Sequence, residues 1–154
     1  MNQSQTANQT EFSIHPKTMM GHISLTVANL DNQLEFYQQA LGFKLHWREG
    51  NKAGLGAGVQ DLLQLTEEPD LKKYRGVTGL YHVAYVFPNK RELAIAMARL
   101  FAIKYPNSPT DHIMTKTTYL DDLEGNGIEL YAESPEDGTW TMTDGQYITR
   151  RKDG

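Results

Sequence analysis

The sequence predicts an α+β protein: two tandem β-α-β-β-β units forming one curved eight-stranded mixed sheet around a metal cavity, with the helices outside. Three observations carry this expectation. The segment Gly21-His22-Ile23-Ser24-Leu25-Thr26-Val27 returns as Tyr81-His82-Val83-Ala84-Tyr85-Val86-Phe87, so His82 follows His22 by 60 residues (82 − 22). Leu63-Gln64-Leu65-Thr66-Glu67-Glu68 returns as Ile128-Glu129-Leu130-Tyr131-Ala132-Glu133, with an offset of 65 (129 − 64). After the first segment of each copy comes a stretch with apolar residues at helical spacing. A single unit of this size exposes the apolar face of its own sheet. Two units side by side bury both.

Met1 to Lys17 is rich in Gln, Asn, Ser and Thr and reads as a polar arm. Residues 18–140 read as one domain, with units at about 18–68 and 78–135. Met20 to Ala28 alternates in polarity, as a strand does. Asn29 and Asp31 are cap residues for a helix near 31–41, with Leu34, Tyr37 and Leu41 on one face and Gly42 as its stop. Phe43 to Glu49 reads as a strand with Phe43, Leu45 and Trp47 on one face. Asn51 to Gly58 reads as a turn or short strand, and Asp61 to Thr66 as the next strand. Glu67 to Thr78 is a charged connector with Pro69, Lys72, Lys73 and Arg75.

Leu80 to Phe87 opens the second unit. Asn89 and Glu92 form a capping-box-like pair ahead of a helix with Leu93, Met97 and Leu100, ending near Phe101. Pro106 to Asp111, with two prolines, reads as a loop. Met114 to Leu120 is a strand. Asp122-Leu123-Glu124-Gly125-Asn126-Gly127 has hairpin chemistry, because Asn and Gly tolerate positive φ. Ile128 to Ala132 is the last strand, and residues 141–154 form a polar C-terminal tail.

Composition narrows the function. The chain has 154 residues, a net charge of −4 and no basic block, so nucleic acid is not an expected partner. No apolar run approaches the roughly 20 residues of a membrane span, and Met1 to Thr10 lacks the apolar segment of a signal peptide. A cytoplasmic protein without membrane contact is expected. There is no cysteine, so any metal must be held by His, carboxylate, amide or backbone oxygen.

Four equivalent positions stand out: His22, Gln64, His82 and Glu129. Strand geometry turns each away from its apolar neighbours, such as Leu63 and Leu65 beside Gln64, or Ile128 and Leu130 beside Glu129. If all four face one concave side they converge. Two His and one carboxylate with open positions opposite suit non-haem Fe(II), and the same donors suit Mn, Ni, Co or Zn. Taken singly, each of these residues is more often a satisfied strand side chain than a ligand. The repeat is what argues for a divalent metal. His15 and His46 have no echo and read as structural or solvated.

These residues resemble the vicinal oxygen chelate superfamily, which includes glyoxalase I, extradiol dioxygenases, methylmalonyl-CoA epimerase and fosfomycin-resistance proteins. The resemblance spans about Thr18 to Trp140. Its anchors are Gly21-His22-Ile23, Leu34-Glu35-Phe36-Tyr37 with Leu41-Gly42-Phe43, Gly79-Leu80-Tyr81-His82, and Gly125-Asn126-Gly127-Ile128-Glu129-Leu130-Tyr131. The last two, with Asp111-His112 between them, look most like the catechol 2,3-dioxygenase branch. That resemblance implies an enzyme that opens a catechol-like ring beside its diol. It assigns His22, His82 and Glu129 to Fe(II), places Tyr119 near the substrate, and makes His112 an acid–base or oxygen-stabilising group. It also implies a homodimer and a small-molecule substrate with neighbouring oxygens. Two alternatives stay open. Gln64 completes a His-Gln-His-Glu set like that of methylmalonyl-CoA epimerase, which suits a glyoxalase-like lyase or an epimerase working through a metal-bound enediolate. A resistance-type protein that binds a small molecule without chemistry is the other.

Overall fold

The computed structural model describes residues 13–72, 76 and 78–152. Residues 1–12 of the expected arm, 73–75 and 77 of the connector, and 153–154 of the tail lie outside the described residues. The first unit runs β1 (Ile23–Val27), α1 (Leu30–Gln39), β2 (Lys44–Glu49), β3 (Lys52–Gly56) and β4 (Leu63–Glu67). The second runs β5 (Val83–Val86), α2 (Lys90–Ala102), β6 (Ser108–Asp111), β7 (Thr115–Asp121) and β8 (Gly127–Glu133). A further hairpin, β9 (Gly138–Thr143) and β10 (Gln146–Arg151), follows.

The helices start where the sequence predicts. Asn29 accepts the Asn32 N–H at 2.8 Å and Asn89 accepts the Glu92 N–H at 3.0 Å, each satisfying a donor that the first helical turn leaves free. After α1 the chain reverses at Gly42, whose φ of +76° is the left-handed conformation that glycine adopts without a Cβ penalty. Phe43 N–H then donates to the Tyr37 carbonyl and brings the chain back toward the sheet.

Both units share one topology. In the first sheet the order is β1-β4-β3-β2, and in the second β5-β8-β7-β6, with a parallel pair at one end of each. The register repeats as well: Ser24 pairs with Gln64 on β1 and β4, and Ala84 pairs with Glu129 on β5 and β8. The eight strands of the units thus divide into two four-stranded mixed sheets, not one continuous sheet, and β9 and β10 make a third sheet of two strands.

One apolar core serves both units. It draws Leu34 and Tyr37 from α1, Leu93 and Leu100 from α2, Leu63 and Leu65 from β4, and Ile128 and Leu130 from β8. The opposite face of each sheet is more open: Ser24, Thr26, Ala84 and Val86 are all exposed. Polar contacts join the units, among them one from the Arg99 guanidinium of α2 to the Gln39 carbonyl of α1. The Glu124 carboxylate accepts the Ala28 N–H at 2.9 Å and the Asn29 N–H at 3.0 Å, placing negative charge at the start of α1. The Tyr37 hydroxyl donates to the buried Asp122 carboxylate at 3.2 Å.

Three local expectations change. Pro106 to Asp111 is not all loop, because Ser108–Asp111 pairs with β7. That strand lies at the sheet edge, where Pro109 removes no needed ladder hydrogen bond. The polar tail is not a tail: Thr139 to Thr143 alternates and pairs with Gln146 to Arg150, and Asp144 and Gly145 both adopt positive φ (51° and 75°) in a two-residue hairpin turn. Leu45 and Trp47 do not share a face with each other, because a bulge falls between them and leaves His46 unpaired against β3. No helix among the described residues is long and apolar enough to cross a membrane.

Candidate functional site

The second unit brings four predicted residues into one chain of polar contacts. His82 lies one residue before β5, half-buried, and its Nε2 is 2.9 Å from Glu129 Oε2. Glu129 projects from β8 between the fully buried Ile128 and Leu130, so it faces away from the core as the alternation predicts. Directly across on β7 stands Tyr119, whose hydroxyl donates to Glu129 Oε1 at 3.0 Å. Thr117, two residues before Tyr119 and on the same face, donates to that oxygen at 3.4 Å. His112 Nε2 is 3.1 Å from the Tyr119 hydroxyl oxygen. Because Tyr119 gives its proton to Glu129, His112 must present an N–H on Nε2 to complete the chain.

Burial and the Glu129 carboxylate beside it hold the Tyr119 phenol above its ordinary range, so the hydroxyl keeps its proton near neutral pH. A cleft of about 850 Å³ opens beside this chain. His82 and Tyr119 line it, together with Tyr81, Asn107, Asp121 and Leu123. The Tyr81 ring is exposed and lies 4.8 Å from the His82 ring, centre to centre. Gly127 permits this arrangement: a Cβ there would strike the Tyr81 carbonyl and come within 3.1 Å of the His82 Cβ.

The donors fit part of a metal site. Two ligands each about 2.1 Å from one ion and at right angles stand about 3 Å apart, which matches the spacing of His82 Nε2 and Glu129 Oε2. Imidazole and carboxylate together suit a borderline divalent cation. His22 lies one residue before β1, the position equivalent to His82, but it is exposed and does not join them. Among the described residues, no group of three His, Asp or Glu side chains is disposed to hold a metal ion.

Gln64 occupies the place of Glu129 in the first unit, yet its amide points to a different partner. Its Nε2 donates to Asp61 Oδ2 at 2.9 Å. Trp47 Nε1 donates to the same oxygen at 2.8 Å, and His46 Nδ1 meets Asp61 Oδ1 at 2.8 Å. The bulge at His46 makes this possible by letting two successive side chains reach one carboxylate. Gly54, opposite Gln64 on β3, leaves the space that the Trp47 indole fills. Burial alone would raise the Asp61 pKa, but the hydrogen bonds from Gln64, Trp47 and His46 outweigh it and hold the carboxyl below its usual range. His46 is thus structural, as the lack of an echo suggested. His15 is exposed, and its ring accepts the Lys17 N–H at 3.2 Å.

Three contributors escaped the sequence reading. Thr117 shares the Glu129 face by strand alternation with Tyr119, which is a legible signal. Tyr81 sits in the repeat beside His82. In the sequence Asp111 is only the neighbour of His112, and its part in holding that turn shows only in three dimensions. That turn is strained. Ile113 adopts φ = +69°, and Met114 N–H donates to the His112 carbonyl at 2.8 Å, closing a three-residue turn around it. A β-branched residue in this conformation costs about 1–3 kcal/mol, which the surroundings must offset.

Comparison with known proteins agrees with this architecture. A family model described as Glyoxalase/Bleomycin resistance protein/Dioxygenase superfamily matches residues 19–130. The chain is similar to a protein of Bacillus subtilis named catechol-2,3-dioxygenase, with 39% identity over 140 residues, 88% of this chain and 49% of that protein. It therefore spans about half the length of that curated relative. Among solved structures it is similar in fold to lactoylglutathione lyase from Agrobacterium tumefaciens. The TM-score is 0.62 at 19% identity, covering 77% of this chain and 96% of that one. A glyoxalase/dioxygenase from Nostoc punctiforme gives a TM-score of 0.66 at 19% identity, over 80% and 97% of the two chains.

Proposed function

The chain belongs to the glyoxalase/bleomycin resistance protein/dioxygenase superfamily, and from that premise we propose that it is a metal-dependent enzyme of the extradiol dioxygenase type, acting on a catechol-like diol. The observation that carries this reading is the chain His112–Tyr119–Glu129–His82, of which His82 and Tyr119 line a cleft, in a protein 39% identical to one named for that reaction. A resistance-type protein that only binds a ligand has no need of a spaced imidazole–carboxylate pair. The lyase or epimerase alternative uses the same pair and differs in metal and in O2 use.

His82 and Glu129 would hold a divalent ion, Fe(II) first among Mn, Ni, Co and Zn. Bound iron would supply electron transfer to O2 and open positions for both oxygens of the diol. The chain's own groups do the rest. Tyr119 and Thr117 fix Glu129 from one side, as partners of metal ligands do. His112 holds a proton on Nε2 at the hydroxyl of Tyr119, which lines the cleft, and could pass it toward a substrate oxygen there. Tyr81 offers a flat apolar face for a ring.

His22 and Gln64 are the further donors of the proposal. They face away from the shared core on the other sheet, so a second copy of the chain is the proposed means of bringing them to His82 and Glu129. A homodimer follows from that reading.

The test is metal content after anaerobic purification, with O2 uptake on adding catechol. Near-stoichiometric iron, O2 uptake and a yellow ring-opened product support the proposal. Nickel, cobalt or zinc without O2 uptake moves the reading to lyase or epimerase chemistry, and no metal leaves a binding protein. Mixing His22→Ala and Glu129→Ala chains tests the dimer. Partial recovery of bound metal in the mixture supports a site shared between copies, and no recovery rejects it.

A further inference from the structure

We infer that Arg151 and Asp111 are positioning residues for His112, so that the β9–β10 hairpin sets the acid–base end of the site; this rests on the dioxygenase reading given above. Asp111 immediately precedes His112 at the end of β6. Three donors converge on its carboxylate. Ile113 N–H and Lys116 Nζ each reach Oδ1 at 2.7 Å, and Arg151 Nη2, from β10, reaches Oδ2 at 2.7 Å. The first of these bonds pins the residue that follows His112, and that residue holds the strained positive φ. His112 is therefore bracketed between a fixed carboxylate and a fixed backbone.

The hairpin holds the turn from its other side too. Gly138 opens β9, and a Cβ there would come within 2.6 Å of Ile113 Cγ2 and 3.0 Å of Met114 Cγ. Ser134, fully buried, donates its hydroxyl to the Ile113 carbonyl at 2.9 Å and its N–H to the Met114 carbonyl at 2.8 Å. Lys116 Nζ reaches the same Ile113 carbonyl at 3.0 Å and pairs with Asp137, just ahead of β9, at 2.9 Å. The Ile113 and Met114 carbonyls are thus tied to the segment leading into the hairpin, while the Ile113 N–H is held by the Asp111 carboxylate that Arg151 reaches. Among the described residues the His112 ring makes one side-chain hydrogen bond, to the Tyr119 hydroxyl at 3.1 Å, and a small rotation of the turn would break it.

The Arg151–Asp111 pair is half-exposed on both sides, and such pairs add little to stability. Its effect is expected in geometry. That separates it from a merely structural role.

The experiment uses the full chain loaded with iron. In Arg151→Ala, kcat on catechol should fall about ten-fold with KM within about two-fold, since loss of orientation acts on the chemical step. Unfolding midpoint and metal content should stay at parent values, and Arg151→Lys should recover at least part of kcat. Independently of activity, the imidazole nitrogen resonances of His112 should move in the iron-free protein as Nε2 loses its bond to Tyr119. Asp111→Asn, which keeps an acceptor for the Ile113 N–H but loses the charge that draws Arg151, should move them the same way.

Parent-like His112 resonances in both variants, with kcat unchanged, overturn the inference. If the parent protein opens no ring, the resonances decide alone: a shift upholds the positioning of His112 while the dioxygenase reading fails.

Discussion

The two units have the same strand order and the same register, yet their polar faces have opposite fates. In the first, the residue across from Gln64 is Gly54; in the second, the residue across from Glu129 is Tyr119. Gly54 leaves a gap, and the bulge at His46 turns the Trp47 indole into it. Asp61 then takes hydrogen bonds from His46, Trp47 and Gln64, and the face closes on itself. In the second unit Tyr119 fills the same place, and its hydroxyl fixes Glu129 without consuming it. Oε2 is left to His82 beside an open cleft. A duplicated backbone therefore supplies two equivalent stages, and the cross-strand neighbour decides which polar face closes on itself and which stays open beside the cleft.

The largest expected effect comes from Glu129→Gln, which should lower metal affinity at least about ten-fold while leaving the fold intact. Gln64→Ala should lower it less, because a neutral amide oxygen is a weaker donor than a carboxylate and the Gln64 amide N–H is held by Asp61. Equal losses in both variants, read by metal analysis after dialysis, would break the comparison. Next is Asp61→Ala, which strands three donors. It should cost about 2–4 kcal/mol in denaturant unfolding, and a change within error would show that the first face is not held by its polar cluster.

Gly54→Ala should cost roughly 1–3 kcal/mol, since its Cβ would lie against the Trp47 indole and the Asp61 carboxylate. Its counterpart, Tyr119→Phe, should cost below about 1 kcal/mol in stability while reducing turnover by roughly 100-fold. Stability loss in Tyr119→Phe matching that in Gly54→Ala would mean that both faces are structural.

The smallest effect concerns pH. Asp111 lies well below the usual carboxylate range, held there by Lys116, Arg151 and the Ile113 N–H. Lys116 lowers Asp137, and Lys90 lowers Glu136. Groups lowered in the folded state stabilise it above an unfolded pKa of about 4 and lose that contribution as pH falls through their folded values. Three lowered carboxylates brace the hairpin and one, Asp61, braces the first sheet, so amide exchange below about pH 4 should loosen β10 before β4. The reverse order would show that these surface pairs do not hold the hairpin.

Much of this was legible in the chain. The echo between Gly21–Val27 and Tyr81–Phe87 located β1 and β5, because strand alternation is a local property of the side chains. Asn29, Gly42 and Asn89 marked helix ends by chemistry that acts within a few residues. Glu129 facing away from the core followed from Ile128 and Leu130 alone. The β9–β10 hairpin was also written locally, in Asp144-Gly145 after an alternating segment, but the scattered Thr and Arg made it read as a polar tail. Pro109 concealed β6, because only the sheet order shows that the strand lies at an edge.

By itself the sequence determined two repeated units, their helix caps, and an equivalent polar position on each, since all of these depend on short-range periodicity and capping. Only the tertiary structure decided that the strands separate into two sheets around one shared core. It alone turned Gln64 to Asp61 and Glu129 to His82, and it alone tied the His112 turn to Arg151, forty residues on (151 − 111). Those outcomes rest on which side chains meet across strands and between elements. A residue's reach in space is set by its neighbours' volume and hydrogen bonds, and neither is written in its own segment of chain.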